Sequence, residues 1–277
     1  MKNFAHRVAV VTGAGSGLGR ALALALAGRG ARLALSDVDT DGLAGTVASA
    51  DGLGAEVRGY ELDVADRAAV LAHAEEVAAE FGRVNLVVNN AGVALGATVE
   101  EMSFEDFDWL MGINLGGVVN GTKAFLPHLI ASGDGHLVNV SSVFGFIGVP
   151  SQSAYNAAKF AVRGFTEALR EEMLAARHPV GVSCVHPGGI KTDIVRNARG
   201  GAGGDRESAA AGFDKIAMTT PERAARTILR GVQRRSARIL IGPDAYLFDA
   251  MPRVLGSAYQ RPVATLARFG RKRAGLE

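Results

Sequence analysis

Residues 7–30 do most to limit the folds open to this chain. A short β-branched run, Arg7-Val8-Ala9-Val10-Val11, leads directly into Thr12-Gly13-Ala14-Gly15-Ser16-Gly17-Leu18-Gly19 and then into the helix-favouring stretch RALALALAGRG. Strand, glycine loop and helix in that order make a phosphate-binding unit. Glycine lets the backbone come close to a pyrophosphate, and a helix N-terminus offers unpaired N–H groups with a partial positive charge. The spacing is Gly13-x-x-x-Gly17-x-Gly19; the G-x-G-x-x-G fingerprint does not fit from Gly13, because position 18 is Leu. At 277 residues, one α/β domain of ordinary size is expected.

The chain then alternates. Residues 32–36 (RLALS) read as a second strand ending at Asp37. A carboxylate there can accept both hydroxyls of an adenosine ribose and would repel a 2′-phosphate. No Lys or Arg lies in the following VDTDG or inside the glycine loop, which favours NAD(H) over NADP(H). The alternative for Asp37 is a helix cap or a solvated carboxylate. A helix over about 40–50 and a strand over about 55–60 precede Asp63-Val64. Asp63 either bonds an adenine amino group or caps a helix starting near Asp66, which would run over 67–81. A buried-type strand at 84–88 precedes Asn89-Asn90-Ala91-Gly92, small residues and amides that suit a closely approaching cofactor. One long helical region is expected over about 103–131, with Asn114 in its middle, where a buried amide needs partners. Further strands are expected at 136–140, 180–185 and 238–241.

Residues 141–159, SSVFGFIGVPSQSAYNAAK, hold the chemistry. Tyr155 and Lys159 stand four apart at the start of a predicted helix, so the phenol and the ammonium share a face. Ser142 follows a strand at the mouth of the same region. A hydroxyl, a phenol and an amine together suit proton transfer at a carbonyl or alcohol oxygen. A free phenol, with a pKa of about 10, is a poor base at neutral pH; moving it toward 7 takes roughly 4 kcal/mol of differential stabilisation. Lys159 and an oxidised nicotinamide are the cations that could supply it. Beyond Tyr155, an apolar stripe of Ala154, Ala157, Ala158, Ala161, Val162, Phe165 and Ala168 predicts close packing against another helix or subunit.

His186, in His186-Pro187-Gly188-Gly189, reads as structural, and Thr192 lies where a nicotinamide carboxamide could sit. Residues 190–217 lack a clear period and are expected to form a binding lid, lined by Ile194, Val195 and Phe213. The single cysteine, Cys184, lies in an apolar run and is expected to be inert; one cysteine permits no internal disulfide, which fits a reducing compartment. A net charge of +2 creates no global field for nucleic acid. No signal peptide or membrane-spanning run is evident, so the cytoplasm is the expected location. Residues 246–277 are expected to form a basic extension to a 1–245 catalytic domain. Its arginines alternate with aromatics and suit a subunit-packing arm, or less favourably an anionic membrane surface. Pro252 and Pro262 are expected to break any single long helix there.

Taken together, TGAGSGLG at 12–19, Asp63, NNAG at 89–92, Asn114, Ser142, YNAAK at 155–159 and HPGGIKT at 186–192 resemble the short-chain dehydrogenase/reductase family in its shorter, single-domain branch. The resemblance covers roughly residues 5–245. It implies a Rossmann-type, doubly wound parallel sheet of about seven strands between two helical layers, with ligands beyond the strands' carboxyl ends. It implies that Tyr155 is the general acid/base, and that Lys159 lowers its pKa and binds the nicotinamide ribose. Ser142, thirteen residues before Tyr155, would hold the substrate oxygen, and Asn114 a water in a relay with Lys159. Gly13, Ser16, Gly17, Leu18, Gly19, Asp37, Asp63, Val64, Asn90, Ala91, Gly92, Pro187, Gly188, Ile190 and Thr192 would join Tyr155 and Lys159 in binding the cofactor. No metal is expected. The implied activity is NAD-dependent interconversion of a secondary alcohol and a ketone, or of an aldehyde/alcohol pair, by a homodimer or homotetramer. Phe144, Phe146, Ile147 and Val149 suggest a bulky, apolar substrate. The competing reading, a catalytically silent nicotinamide-binding regulatory or scaffold protein, would be favoured by a missing Tyr, Lys or Ser, and all three are present.

Overall fold

The computed structural model describes residues 1–200 and 217–273, with side chains to Arg268. Seven parallel strands form one sheet in the order β3-β2-β1-β4-β5-β6-β7. They are β1 (Val8–Thr12), β2 (Arg32–Asp37), β3 (Val57–Glu61), β4 (Leu86–Asn89), β5 (Gly135–Val140), β6 (Val180–Pro187) and β7 (Arg238–Ile241). The order reverses between β1 and β4. Both connecting loops leave the sheet there in opposite directions and open a crevice beyond Thr12 and Asn89.

The strands are apolar on both faces because helices cover both. In β1, Ala9 and Val11 face α1 (Gly17–Ala27) and α7 (Pro221–Gln233), through Leu22, Leu26, Ile228 and Val232. Val8 and Val10 face α3 (Arg67–Phe81), α5 (Gly117–Ala131) and α6 (Ser153–Ala175), through Val70, Val77, Phe125, Leu129 and Leu169. Side chains alternate along a strand, so one five-residue run serves both cores.

The helix expected over 103–131 is interrupted. α4 (Phe104–Met111) passes into a π-helical turn at Gly112–Gly116 before α5 begins. The wider turn carries Asn114, and π turns concentrate at functional sites. α2 (Thr40–Asp51) is capped by Asp39, whose carboxylate accepts from Gly42 N at 3.0 Å, and α3 by Asp66. Neither Asp37 nor Asp63 is a helix cap.

The prolines do not break the C-terminal segment where expected. Pro252 lies inside α8 (Pro243–Leu255), whose Phe248 and Met251 pack on the body of the protein. The break falls at Gly256, which takes the left-handed φ of 54°. α9 (Gln260–Arg273) follows a short 3₁₀ turn, with Pro262 in its first turn, where a missing N–H costs nothing. The expected boundary at 245 falls within α8. Tyr259 and Val263 turn inward onto Phe146 and Ile147, while Val254 and Leu266 face outward. The stripe on α6 also divides: Ala154, Ala158 and Val162 are buried, whereas Ala157 and Ala168 are exposed beside an exposed Phe160. No described helix is long and apolar enough to cross a membrane.

Candidate active site

β5 ends at Val140 and delivers two serines with different fates. Ser141 Oγ donates to the carbonyl of Lys159 at 2.8 Å and fastens the strand end to α6. Ser142 is left beside Tyr155, where its hydroxyl favours the phenolate form. His186 holds Ser142 from behind: its Nδ1 donates to the Ser142 carbonyl at 3.0 Å, and its ring stacks on Phe146 at 4.1 Å. Burial pushes His186 down to about 4, so it is neutral. It is structural, as expected.

Lys159 lies one turn after Tyr155, its Nζ 5.4 Å from the centre of the phenol ring. Nζ donates to the Val140 carbonyl at 3.1 Å. Asn114 meets the same region from the π turn: its Oδ1 accepts from Val93 N at 2.8 Å and its Nδ2 donates to Val93 O at 2.9 Å. With both ends of the amide engaged, the side chain locks the loop after β4. Gly92 leaves room for this convergence. A Cβ there would sit 3.2 Å from Asn114 Oδ1 and 3.6 Å from Lys159 Nζ.

In this arrangement the net direction for Tyr155 is upward; the lowering expected from the sequence drew on Lys159 together with an oxidised nicotinamide. Burial pushes the phenol up to about 12, and the Ser142 hydroxyl only partly opposes it. Burial also pushes Lys159 down to about 8. Neither charged form is fully compensated by its neighbours, so a further positive charge near the phenol would favour the phenolate.

The glycine loop is built for close approach. Gly13 (φ 66°) and Gly17 (φ 49°) take left-handed backbone, and a Cβ at Gly13 would lie 2.8 Å from Ala91 Cα. A Cβ at Gly19 would overlap the Gly13 carbonyl oxygen. Ser16 precedes α1 in extended conformation and makes no side-chain cap, which leaves the first-turn N–H groups to the crevice, with Leu18 buried behind them. Asp37 Oδ2 accepts from Gly15 N at 2.7 Å, so the β2 carboxylate lies against the glycine loop. Asn90 spends its side chain on the loop, donating to Thr12 O at 2.9 Å and Gly13 O at 3.2 Å. Asp63 is exposed, and its Oδ1 accepts from Ala65 N at 2.9 Å. Val64 is buried against Gly117. Across the crevice, the Thr192 methyl lies 3.1 Å from where a Gly17 Cβ would be. Pro187 ends β6, and Ile190 is buried where it pairs with Thr219.

Some site-building residues escape sequence reasoning. Arg20 donates to Gly15 O, Gly42 O and Thr46 Oγ1, tying the glycine loop to α2. Asp244, far along the chain, accepts from Gly189 N at 2.8 Å and fills the space where a side chain at Gly188 would go. Asn156 stood in the quoted YNAAK, but nothing in its spacing announced that it would bind the loop before it. Phe146 and Ile147, expected to line the substrate site, are buried in a cluster with Tyr259. Only Phe144 of the four reaches Tyr155, edge-on at 6.1 Å. Tyr155 packs instead against the apolar cluster of Leu95, Leu110, Ala154 and Ala158, which Val93, Phe107, Trp109 and Met111 also join. Ile194 and Val195 are half-buried, while Phe213 lies outside the described residues. Cys184 is buried, its thiol pushed up to about 12 by burial, as an inert thiol should be.

The family model for short chain dehydrogenase matches residues 7–202. SadH of Mycobacterium tuberculosis, which carries an oxidoreductase's name, is 59% identical over 271 residues, covering 97% of this chain and 98% of that one. The C alpha-dehydrogenase of Sphingobium sp. is 36% identical over 255 residues, with 88% and 83% covered. Among solved structures, a short chain dehydrogenase/reductase from Burkholderia phymatum in complex with NAD matches at TM-score 0.85 and 34% identity, covering 92% of this chain and 95% of that one. The chain belongs to the short-chain dehydrogenase/reductase family and is an oxidoreductase of that family.

Proposed function

We propose that the protein interconverts a secondary alcohol and a ketone with NAD(H), and that Tyr155 moves the proton on the substrate oxygen. The observation that carries this reading is the meeting of Ser142, Tyr155 and Lys159 at the crevice where strand order reverses. The nicotinamide, when bound, supplies the hydride acceptor or donor. Ser142 orients the substrate oxygen toward the phenol. Lys159 lies close enough to hold a ribose hydroxyl and to favour the phenolate. Asp37 at the β2 end favours NAD(H), and Arg20 is already committed to Gly15 and Gly42 rather than to a 2′-phosphate. The apolar residues around Tyr155 support an apolar substrate. The exposed face of α6 around Ala157 and Phe160 suits a second copy, in a homodimer or homotetramer.

The test is turnover of NAD with 2-propanol, cyclohexanol, 1-phenylethanol and a hydroxysteroid, beside Tyr155→Phe. Turnover that the variant loses supports the reading. NADH binding without turnover of any alcohol or corresponding ketone would favour the silent nicotinamide-binding protein.

A further inference from the structure

We infer that Tyr259, on the C-terminal arm, is a positioning residue for the reaction: it clamps the loop that joins Ser142 to Tyr155. The inference rests on the reading of Ser142 and Tyr155 as the reacting pair, and it gives the C-terminal arm a role in that site.

The loop over residues 143–152 pairs with no strand except at Gln152, so other groups must hold it. From the inner side Asn156 does so. Its Oδ1 accepts from Val149 N at 3.0 Å, and its Nδ2 donates to Phe144 O at 2.8 Å and Ile147 O at 2.7 Å. The N–H of Gly148 is not reached by Asn156. It donates to Tyr259 Oη at 3.1 Å, across a separation of 111 residues. The Tyr259 ring is buried against Phe146 and Ile147, so the phenol is fixed by packing as well as by this bond.

The arm reaches this place because of its own sequence. Gly256, with its left-handed φ, ends α8 and turns the chain so that the short 3₁₀ turn lays Tyr259 on the loop. The clamp acts on the site at short range. Phe144, on the same loop, meets Tyr155 edge-on, and its N–H donates to Ser142 Oγ at 3.1 Å. Phe146 stacks on His186, which holds the Ser142 carbonyl. A loop released at Gly148 shifts the groups that aim Ser142 and wall the phenol, while the glycine loop and Asp37 lie on other elements.

The experiment uses the full-length Tyr259→Phe variant, which keeps the ring and removes the hydroxyl. Two readouts are taken: hydrogen exchange of peptides over 143–152 with NADH saturating, and kinetics with whichever panel alcohol is turned over fastest. We expect faster exchange in 143–152 and unchanged exchange in 12–20. We expect KM for the alcohol to rise about three- to tenfold, the size one lost hydrogen bond gives, with kcat falling less and the NADH Kd unchanged. Unchanged exchange in 143–152 overturns the clamp. Faster exchange with unchanged KM and kcat overturns its role in the reaction, whatever happens to the melting temperature. If the wild-type protein turns over no alcohol, the alcohol–ketone reading fails, and the exchange arm still decides whether Tyr259 holds the loop.

Discussion

Lys159 Nζ donates to the carbonyl of Val140 at 3.1 Å, tying the ammonium on α6 to the last residue of the strand that delivers Ser142. The bond orients the amine, but it does not restore full hydration, and burial holds Lys159 near 8. The cost of that burial is pH-dependent. Below about 8 the folded and unfolded chains both carry the proton and the penalty is complete. Between about 8 and the ordinary value of 10.5 the unfolded chain holds more protons, so stability rises with pH. The unfolding free energy of wild type relative to Lys159→Met is therefore expected to climb across that window in denaturant melts. A flat difference would show that Lys159 is not desolvated.

Three buried histidines work at the acid end. His73 and His186 are pushed to about 4 and His136 to about 3, each chiefly by burial. The unfolded chain takes up protons near 6.5 that the folded chain refuses, so stability is lost as pH falls from about 6.5 toward 4. His73 Nε2 has no hydrogen-bond partner, and its ring lies edge-on to Tyr60 and Phe125. His73→Phe is expected to reduce the acid loss, read as a shallower fall of Tm over this range.

On the proposed reading Tyr155 is the proton carrier, and Tyr155→Phe removes it while leaving the glycine loop and Asp37 in place. Turnover is expected to fall about 10²- to 10⁴-fold, with NADH affinity within a few-fold of wild type by fluorescence titration. Ser142→Ala is expected to lower kcat/KM as well. Comparable loss of NADH binding in either variant would mean that these groups build the cradle rather than the chemistry.

On the proposed reading, Asp37 sets the cofactor preference. Asp37→Asn keeps an acceptor for Gly15 N and removes the charge. The ratio of NADP to NAD affinity is expected to rise about tenfold, the order of one nearby charge repulsion. An unchanged ratio by calorimetry would assign the preference elsewhere.

Gly19 tests the cradle itself. A methyl there overlaps the Gly13 carbonyl, and the obstruction is backbone that cannot swing aside. Gly19→Ala is expected to destabilise the protein by about 1–3 kcal/mol and to abolish NADH binding, whereas Gly54→Ala, with open space around it but φ at 80°, should cost stability alone.

Much of this protein was legible in its sequence because the deciding physics is local. A β-branched strand, a glycine loop and an alanine-rich helix can only follow one another in a few ways, and Tyr155 and Lys159 share a face because a helix repeats every 3.6 residues. All seven strands appear within a few residues of where their apolar runs stand. What the tertiary structure decided is everything that depends on partners remote in the chain. That Asp37 is not the cap of α2 needed Asp39 to take that place. The separation of Ser141 from Ser142 needed the Lys159 carbonyl. The direction of the Tyr155 shift needed the burial around it, because desolvation is a property of the assembled site. Phe146 and Ile147 read as substrate-lining because they are apolar and follow Ser142; they are core because Tyr259, more than a hundred residues away, folds back to cover them.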